Sequence, residues 1–310
     1  MNYLNILKTM NDNKYLLFSV IVTTYNRKEL LKETMDSILA QTYSNFELIV
    51  VDNYSNYDFI KYMESFNDDR IRPFQNQNNG VIAVNRNYGI NKAKGEYIAF
   101  CDDDDTWFPN KLEVVYSYII KSPDSILFCH YENMIGDVKK EKVLKHGPYS
   151  AEMYKSLLFN GNKVSTSATV VRKKETLEEN GFDESKEYLS VEDYDLWMRL
   201  AKRGSFVFIE DVLGNYYWFG NNISANSRIH TEASFAVVDK HLKNWLIKNP
   251  NDTLIVNKTY SIKWFQKALA YNKLGDFRNS KEFAFKAIKY KTLNIKAWVI
   301  YFFSIIRFRY

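Results

Sequence analysis

The regular patterning of the chain begins at Phe18–Thr23, FSVIVT, a short β-branched run that reads as a buried strand. In the next stretch, YNRKELLKETMDSILAQTY, residues Leu30, Leu31, Thr34, Met35, Ile38 and Leu39 recur at helical spacing, which predicts an amphipathic helix. Asn26 stands where an N-cap is expected, and Glu29 completes a capping-box-like pattern. Phe46–Val51, FELIVV, reads as a second buried strand. Strand, helix and strand in about 35 residues make one β-α-β unit, which implies parallel strands and a right-handed crossover.

The alternation continues. Arg70–Gln75 reads as a strand, Val81–Lys94 as a helix, Glu96–Cys101 as a strand, Pro109 to about Lys121 as a helix and Ser125–His130 as a strand. Such a series predicts an α/β fold, an open sheet flanked by helices. Residues 131–190 are less regular, with a strand expected at Val164–Arg172. Residues 191–203, VEDYDLWMRLAKR, predict a helix ended by Gly204, and Phe206–Ile209 a further strand. From about Ser227 the pattern turns helical. ALAYNKLGDFRNSKEFAFKAI, residues 268–288, reads as two antiparallel helices turned at Gly275-Asp276, similar to a single tetratricopeptide-type hairpin. The expected organisation is a lead-in over 1–17, an α/β domain over 18–226 and a helical region over 227–310.

In open α/β sheets, ligands bind outside the carboxyl ends of the strands. Three polar segments fall there: Thr23-Thr24-Tyr25-Asn26, Asp52-Asn53 and Asp102–Asp105. The last places four carboxylates directly after the apolar run Tyr97–Cys101. Adjacent carboxylates repel, so the cluster costs stability unless a cation or a donor network neutralises it. Oxygen ligands of this kind suit Mg²⁺ or Mn²⁺, and such an ion holds a diphosphate and stabilises it as a leaving group. Asp193, in the first turn of its helix, shares a face with Leu196, Trp197 and Leu200. A partly buried carboxylate there is a candidate general base. Asp195 falls on another face and is expected to meet solvent or Arg199. Gly80 precedes a helix whose early turns carry Arg86, a pairing suited to an anionic ligand.

Composition narrows the classes. Hydrophobic residues make up 46% of the 310, enough for a real core, which excludes a disordered chain. The two cysteines, Cys101 and Cys129, lie in apolar runs, against a disulfide framework or a cysteine zinc site and in keeping with a reducing cytosol. No signal peptide pattern opens the chain, and no run reaches the ~18 apolar residues of a membrane span. Charge is uneven: Arg228–Tyr310 carries 16 Lys/Arg against 5 Asp/Glu, and the remainder 26 against 32. A basic C-terminal third suggests contact with an anionic membrane or a lipid-linked acceptor, or packing alone. Nucleic-acid binding lacks any motif.

Taken together, VIVTTYNR, SILAQTYSNFELIVVDN, the stretch from NNG through NRNYGINKAKGEYIAFCDDDD, the W-P-KLE that follows, and GFDE with VEDYDLWMRL resemble the glycosyltransferase family 2 pattern from about Phe18 to Ser224. The resemblance implies a GT-A fold, a Rossmann-like mixed, mainly parallel sheet flanked by helices, with the C-terminal helices as an extension. It implies an inverting enzyme of the bacterial surface-polysaccharide type, cytoplasmic or peripheral at the inner face of the plasma membrane, that moves a sugar from a nucleotide donor, UDP-sugar foremost, to a glycan or lipid-linked acceptor. Thr23, Thr24 and Tyr25 match the segment lining the nucleotide pocket, and Asp52 the first acidic position after the second strand. Arg86 matches the arginine near the donor, and Asp102 and Asp104 the outer positions of the DxD signature. The metal contact, Mn²⁺ or Mg²⁺, falls on Asp104, with Asp102 or Asp103 nearer the ribose. Asp193 matches the catalytic base.

Two departures stand out. Many relatives carry a second Asp where this chain has Asn53, which adds a donor and bears on the choice of base. In YYWFGNNIS, Tyr216, Asn222 and Ser224 keep the family pattern, while Tyr217 and Phe219 replace its Arg and His. His230 is the candidate to substitute for that His. Two other readings compete. AFCDDDDT fits the haloacid dehalogenase nucleophile motif, with Asp102 as nucleophile and Asp104 as acid/base. Neither GD pair, however, has an Asp four residues on. A non-catalytic sugar-nucleotide binding protein of the same fold is the other.

Overall fold

The computed structural model describes residues 16–136, 142–219 and 227–310. The expectations placed on residues 1–15 and on Asn222 and Ser224 lie outside them. In chain order the α/β part runs β1 (Phe18–Thr24), α1 (Lys28–Leu39), β2 (Phe46–Asp52), α2 (Phe59–Glu64), β3 (Ile71–Gln75), α3 (Ile82–Lys92), β4 (Tyr97–Asp102), β5 (Thr106–Trp107) and α4 (Lys111–Lys121). It continues with β6 (Leu127–Gly136), β7 (Lys142–Leu144), α5 (Met153–Asn160), β8 (Thr169–Arg172), α6 (Lys173–Glu178), α7 (Glu192–Leu200) and β9 (Phe206–Trp218). The helices α8 (Ser227–Lys248), α9 (Thr253–Lys273), α10 (Phe277–Tyr290) and α11 (Ile295–Ile305) follow.

One mixed sheet organises the strands in the order β3-β2-β1-β4-β8-β6-β9-β5, with β7 paired to β6. β1 lies parallel to β2 and β4, and β2 parallel to β3. β8 enters antiparallel against β4, and β6 antiparallel against β8. The largely apolar strands β1 and β2 are buried along their whole length, because helices cover both faces of the sheet. Phe18, Val20 and Val22 join the main core with Leu31, Met35 and Ile38 of α1 and Leu112, Val115 and Ile119 of α4. Ile21 points the other way, toward α3. A Cβ at Gly89 would stand 2.7 Å from the Ile21 side chain, so glycine is what lets α3 lie this close to β1.

The chain divides into two compact units. The first holds the described residues of Met1–Ala151, Lys163–Phe182 and Leu200–Tyr217, and with them the sheet. The second holds Glu152–Asn162, Asp183–Arg199 and the described residues of Trp218–Tyr310, so it takes α5 and α7 together with α8–α11. Within it, α9 and α10 form the expected hairpin. Gly275 makes the turn at φ +80°, and Asp276 caps α10 by accepting from the Asn279 amide at 3.1 Å. Small side chains at the contacts, Ala268, Ala284, Ala287 and Ala297, are fully buried and let the helices approach closely.

Candidate active site

Register brings the first three polar segments to one edge. Thr24 is paired with Asp52 across β1 and β2, and Thr23 with Asp102 across β1 and β4. Three parallel strands therefore end level, and their last side chains share the carboxyl edge where such sheets bind ligands. Thr23 and Thr24 are buried, whereas Tyr25 is 54% exposed. An aromatic face at this edge is suited to stacking on a base.

The turn after β1 departs from the expected capping box. Asn26 is not the cap of α1: it adopts φ +54°, and its Oδ1 accepts from the Asn56 amide at 2.8 Å. Arg27 holds the cap position and makes no side-chain cap bond. Asparagine tolerates the left-handed conformation, and here that conformation ties the β1 turn to the β2 turn. Asp52, fully buried, accepts from the Ser55 amide at 2.9 Å, the Ser55 hydroxyl and Gln75 Nε2 at 3.0 Å. Asn53 Oδ1 accepts from the Asn78 amide at 2.9 Å. That bond uses the acceptor end of Asn53, an end Asp would also offer.

The four aspartates divide. The Asp102 carboxylate receives Arg86 Nη2 at 2.7 Å. Asp103 accepts from the Thr24 hydroxyl at 2.7 Å and from Arg27 Nη1 at 3.1 Å. Asp104 accepts from the same Arg27 nitrogen at 2.8 Å. Burial pushes the Asp104 carboxyl up to about 7, reinforced by the charges of Asp102 and Asp103 and opposed by Arg27. Burial, opposed by Thr24 and Arg27, also raises Asp103. Asp105 turns away from this group: it is 1% exposed and accepts from the Tyr217 amide at 3.0 Å, tying β9 to the aspartate loop. Burial and the neighbouring Glu132 hold its carboxyl well above the usual range.

Arg86 is 5% exposed rather than solvated, and it packs over the Phe182 ring. Two further residues were not singled out from sequence. Arg27 stands inside VIVTTYNR, but nothing in that run shows that its side chain reaches residues 76 and 77 positions away. Ser167, 2% exposed, accepts from the Asp102 amide at 3.0 Å, and its carbonyl accepts from Trp107 Nε1 at 3.1 Å and Lys111 Nζ at 2.8 Å. It pins both ends of the aspartate loop.

Asp193 belongs to the second unit, where it sits half-buried in the first turn of α7 and accepts from the Tyr194 amide at 2.7 Å. Leu196, Trp197 and Leu200 on its face are fully buried. Asp195 does not meet solvent. It is fully buried, and it accepts from Arg199 at 2.7 Å, as expected, and also from Lys240 and His241 at 3.0 Å each. That network fastens α7 to α8. His230 lies in the same unit, with Nδ1 3.3 Å from the Ser190 hydroxyl, and burial lowers its pKa.

The donor set at Asp102–Asp104 fits a hard divalent ion: it is all carboxylate oxygen, and the crowding of carboxylates that raises the Asp104 carboxyl is what a cation would relieve. Among the described residues no group of three or more His, Cys, Asp or Glu forms a ready cage. A small hard ion held by one or two carboxylates and a substrate diphosphate needs none.

Known proteins resemble this chain in sequence and in fold. The family model for Glycosyl transferase family 2 matches residues 19–179, just over half of the chain. An uncharacterized glycosyltransferase, RT0329, of Rickettsia typhi is 34% identical over 212 residues, 66% of this chain and 65% of that protein, slightly under two thirds of its length. The UDP-Glc:alpha-D-GlcNAc-diphosphoundecaprenol beta-1,3-glucosyltransferase WfgD of Escherichia coli is 28% identical over 240 residues, 75% of this chain and 89% of the relative. Residues 1–349 of TarS from S. aureus, solved with UDP-GlcNAc, superpose with a TM-score of 0.66 at 16% identity, covering 93% of this chain and 90% of that one. At that identity the likeness shows the fold, which is GT-A. A family model matched over half the chain, on a sheet whose level strand ends carry the expected residues, has one reading: the chain belongs to glycosyltransferase family 2.

Proposed function

We propose that the protein is an inverting glycosyltransferase that moves a sugar from a nucleotide-diphosphate sugar, UDP-sugar foremost, to a hydroxyl of a glycan or lipid-linked acceptor in surface-polysaccharide synthesis. The observation that carries the reading is the shared carboxyl edge of β1, β2 and β4, where Thr23, Thr24, Asp52, Asn53 and Asp102–Asp104 converge and Arg86 secures Asp102. TarS, of the same fold, was solved with UDP-GlcNAc, and WfgD is named for a UDP-glucose donor and a diphosphoundecaprenol-linked acceptor.

In this reading Tyr25, Asp52 and Asn53 receive the base, and Asp102 and Asp103 stand toward the ribose. Asp104 would hold a divalent cation, Mn²⁺ or Mg²⁺, which would neutralise charge on the departing nucleoside diphosphate. Asp193 takes the proton of the acceptor hydroxyl. The freed oxygen lone pair forms the new bond to the anomeric carbon from the face opposite the leaving group. The bond from that carbon to the phosphate oxygen breaks, and the nucleoside diphosphate leaves with its electrons.

A peripheral contact with an anionic membrane, at the inner face of the plasma membrane, completes the proposal. No helix among the described residues is long and apolar enough to cross a membrane. The α11 face nevertheless exposes Ile295, Val299, Phe302 and Ile306, and Phe283–Tyr310 holds six basic residues and no acidic one.

The experiment is a calorimetric screen of UDP, GDP, dTDP and CDP with and without Mn²⁺. One nucleotide is expected to bind, more tightly with Mn²⁺ and without that gain in Asp104→Ala. Binding of none, at any metal concentration, would refute the donor site.

A further inference from the structure

The donor-site reading leaves Arg27 without a role, and its geometry is unusual among the cations of the site. A single nitrogen, Nη1, bridges Asp103 at 3.1 Å and Asp104 at 2.8 Å. One positive charge thus sits against both carboxylates, including the Asp104 carboxylate that would hold the cation. The two carboxylates are nearly closed to solvent, at 8% and 9% side-chain exposure, while the Arg27 side chain is 37% exposed. Arg86, the other guanidinium, is different. Its side chain is 7% exposed and is fixed against Asp102 and the Phe182 ring. Of the two arginines, one is built into the fold and the other reaches in from the surface.

We infer that Arg27 is a tethered counter-cation of the aspartate pair, one that a divalent ion must displace to reach Asp104. The inference rests on the donor-site reading above. Its physical basis is competition. Two close carboxylates need a positive charge beside them, and a cation and a guanidinium cannot both take the same Asp104 oxygen. Release returns rotamer freedom to a long side chain that is already 37% exposed, which offsets part of the cost of the broken ion pairs. The turn that carries it is held independently: the Asn26 amide donates to the Ser55 hydroxyl at 2.7 Å, and Asn26 Oδ1 accepts from Asn56. The side chain can therefore swing without unfolding the turn. Once displaced, its planar fork is matched to phosphate oxygens. A diphosphate arriving with the metal compensates for the broken ion pairs, whereas a metal arriving alone does not. Cation and nucleotide therefore bind together, and the aspartates stay neutralised between turnovers.

The test titrates Mn²⁺ alone into the full-length protein, following free Mn²⁺ by electron paramagnetic resonance, and then UDP at saturating Mn²⁺ by calorimetry. Arg27→Met is expected to bind Mn²⁺ alone about tenfold more tightly than the wild type, since the competitor is gone. The same variant is expected to bind UDP about tenfold more weakly in the presence of Mn²⁺. A residue of merely structural importance would weaken both. Arg27→Lys keeps the charge and should stay within about threefold of the wild type for Mn²⁺ alone. Unchanged or weaker Mn²⁺ binding by Arg27→Met overturns the inference while leaving the donor site standing. Failure of the wild type and both variants to bind Mn²⁺ or UDP overturns the two together. A second measurement needs no substitution. The Arg27 Nε–H resonance of the wild-type protein should move when Mg²⁺ and UDP are added, and a resonance that stays in place with both bound refutes displacement.

Discussion

Arg86 Nη2 lies 2.7 Å from Asp102 Oδ1, joining the middle of α3 to the last residue of β4. The arginine is almost wholly buried, whereas the aspartate keeps 31% of its side chain in solvent. The pair therefore faces outward through its anionic end. Its fixed guanidinium sets where the Asp102 carboxylate can point. Removing the arginine frees that carboxylate and leaves a void beside Phe182. Arg86→Met should cost about 2 kcal/mol in urea unfolding and lower UDP affinity about tenfold by calorimetry.

Asp193 tests the division between binding and chemistry. The carboxylate sits in the second unit, in the first turn of α7. Asp193→Asn keeps the shape and the acceptor for the Tyr194 amide and removes the proposed base. UDP·Mn²⁺ binding should equal that of the wild type, and transfer should fall by about 10²–10⁴-fold. Transfer at the wild-type rate would take Asp193 out of the proton-transfer role.

Asp195 governs stability instead. Burial would raise its carboxyl, but the His241 hydrogen bond and the charges of Arg199 and Lys240 more than reverse this and hold it below the ordinary range. A depressed carboxylate contributes stability above its unfolded pKa of about 3.9, and that contribution fades as pH falls toward the folded value. Asp195→Asn leaves Arg199 and Lys240 without their buried partner. It should cost about 3–5 kcal/mol near pH 7 and flatten the acid side of the stability profile, read by chemical unfolding between pH 3 and 7.

Lys263 works in the opposite sense. Burial alone lowers its pKa to about 8, with Nζ 3.0 Å from the Ser234 hydroxyl. Below about pH 8 both folded and unfolded states carry the proton, and the desolvation penalty is present in full. Between about 8 and the unfolded value of 10.5 the unfolded chain holds more protons, so stability rises with pH. Lys263→Met should raise the melting temperature at pH 7 and remove that alkaline gain. A variant melting below the wild type at pH 7 would show that the lysine is paired better than its surroundings indicate.

The fold was legible because it rests on local periodicity. Runs rich in β-branched and aliphatic residues at Phe18–Thr23 and Phe46–Val51 mark buried strands, and the spacing of Leu31, Met35 and Ile38 marks the helix between them. The hairpin at Gly275 was equally plain, since a helix stop and a new start leave their signature within a few residues. These elements in turn place Thr23, Thr24, Asp52 and Asp102 at strand ends, so the edge of the candidate site follows from sequence and from one rule of sheet topology.

Partnership did not follow. Asn26 has the composition of a cap, yet its amide and side chain are spent on Ser55 and Asn56, about thirty residues on. Asp195 has the spacing of a surface carboxylate, yet α8 brings Lys240 and His241 onto it from 45 and 46 residues away. Arg27 reads as a polar residue beginning a helix, and only the fold sets it between Asp103 and Asp104. Sequence determines which residues share a face or an edge, because that depends on bonds and steric limits between near neighbours. Which charges meet is decided by the tertiary structure, because a side chain's partner is selected by the packing of segments that the chain itself holds far apart.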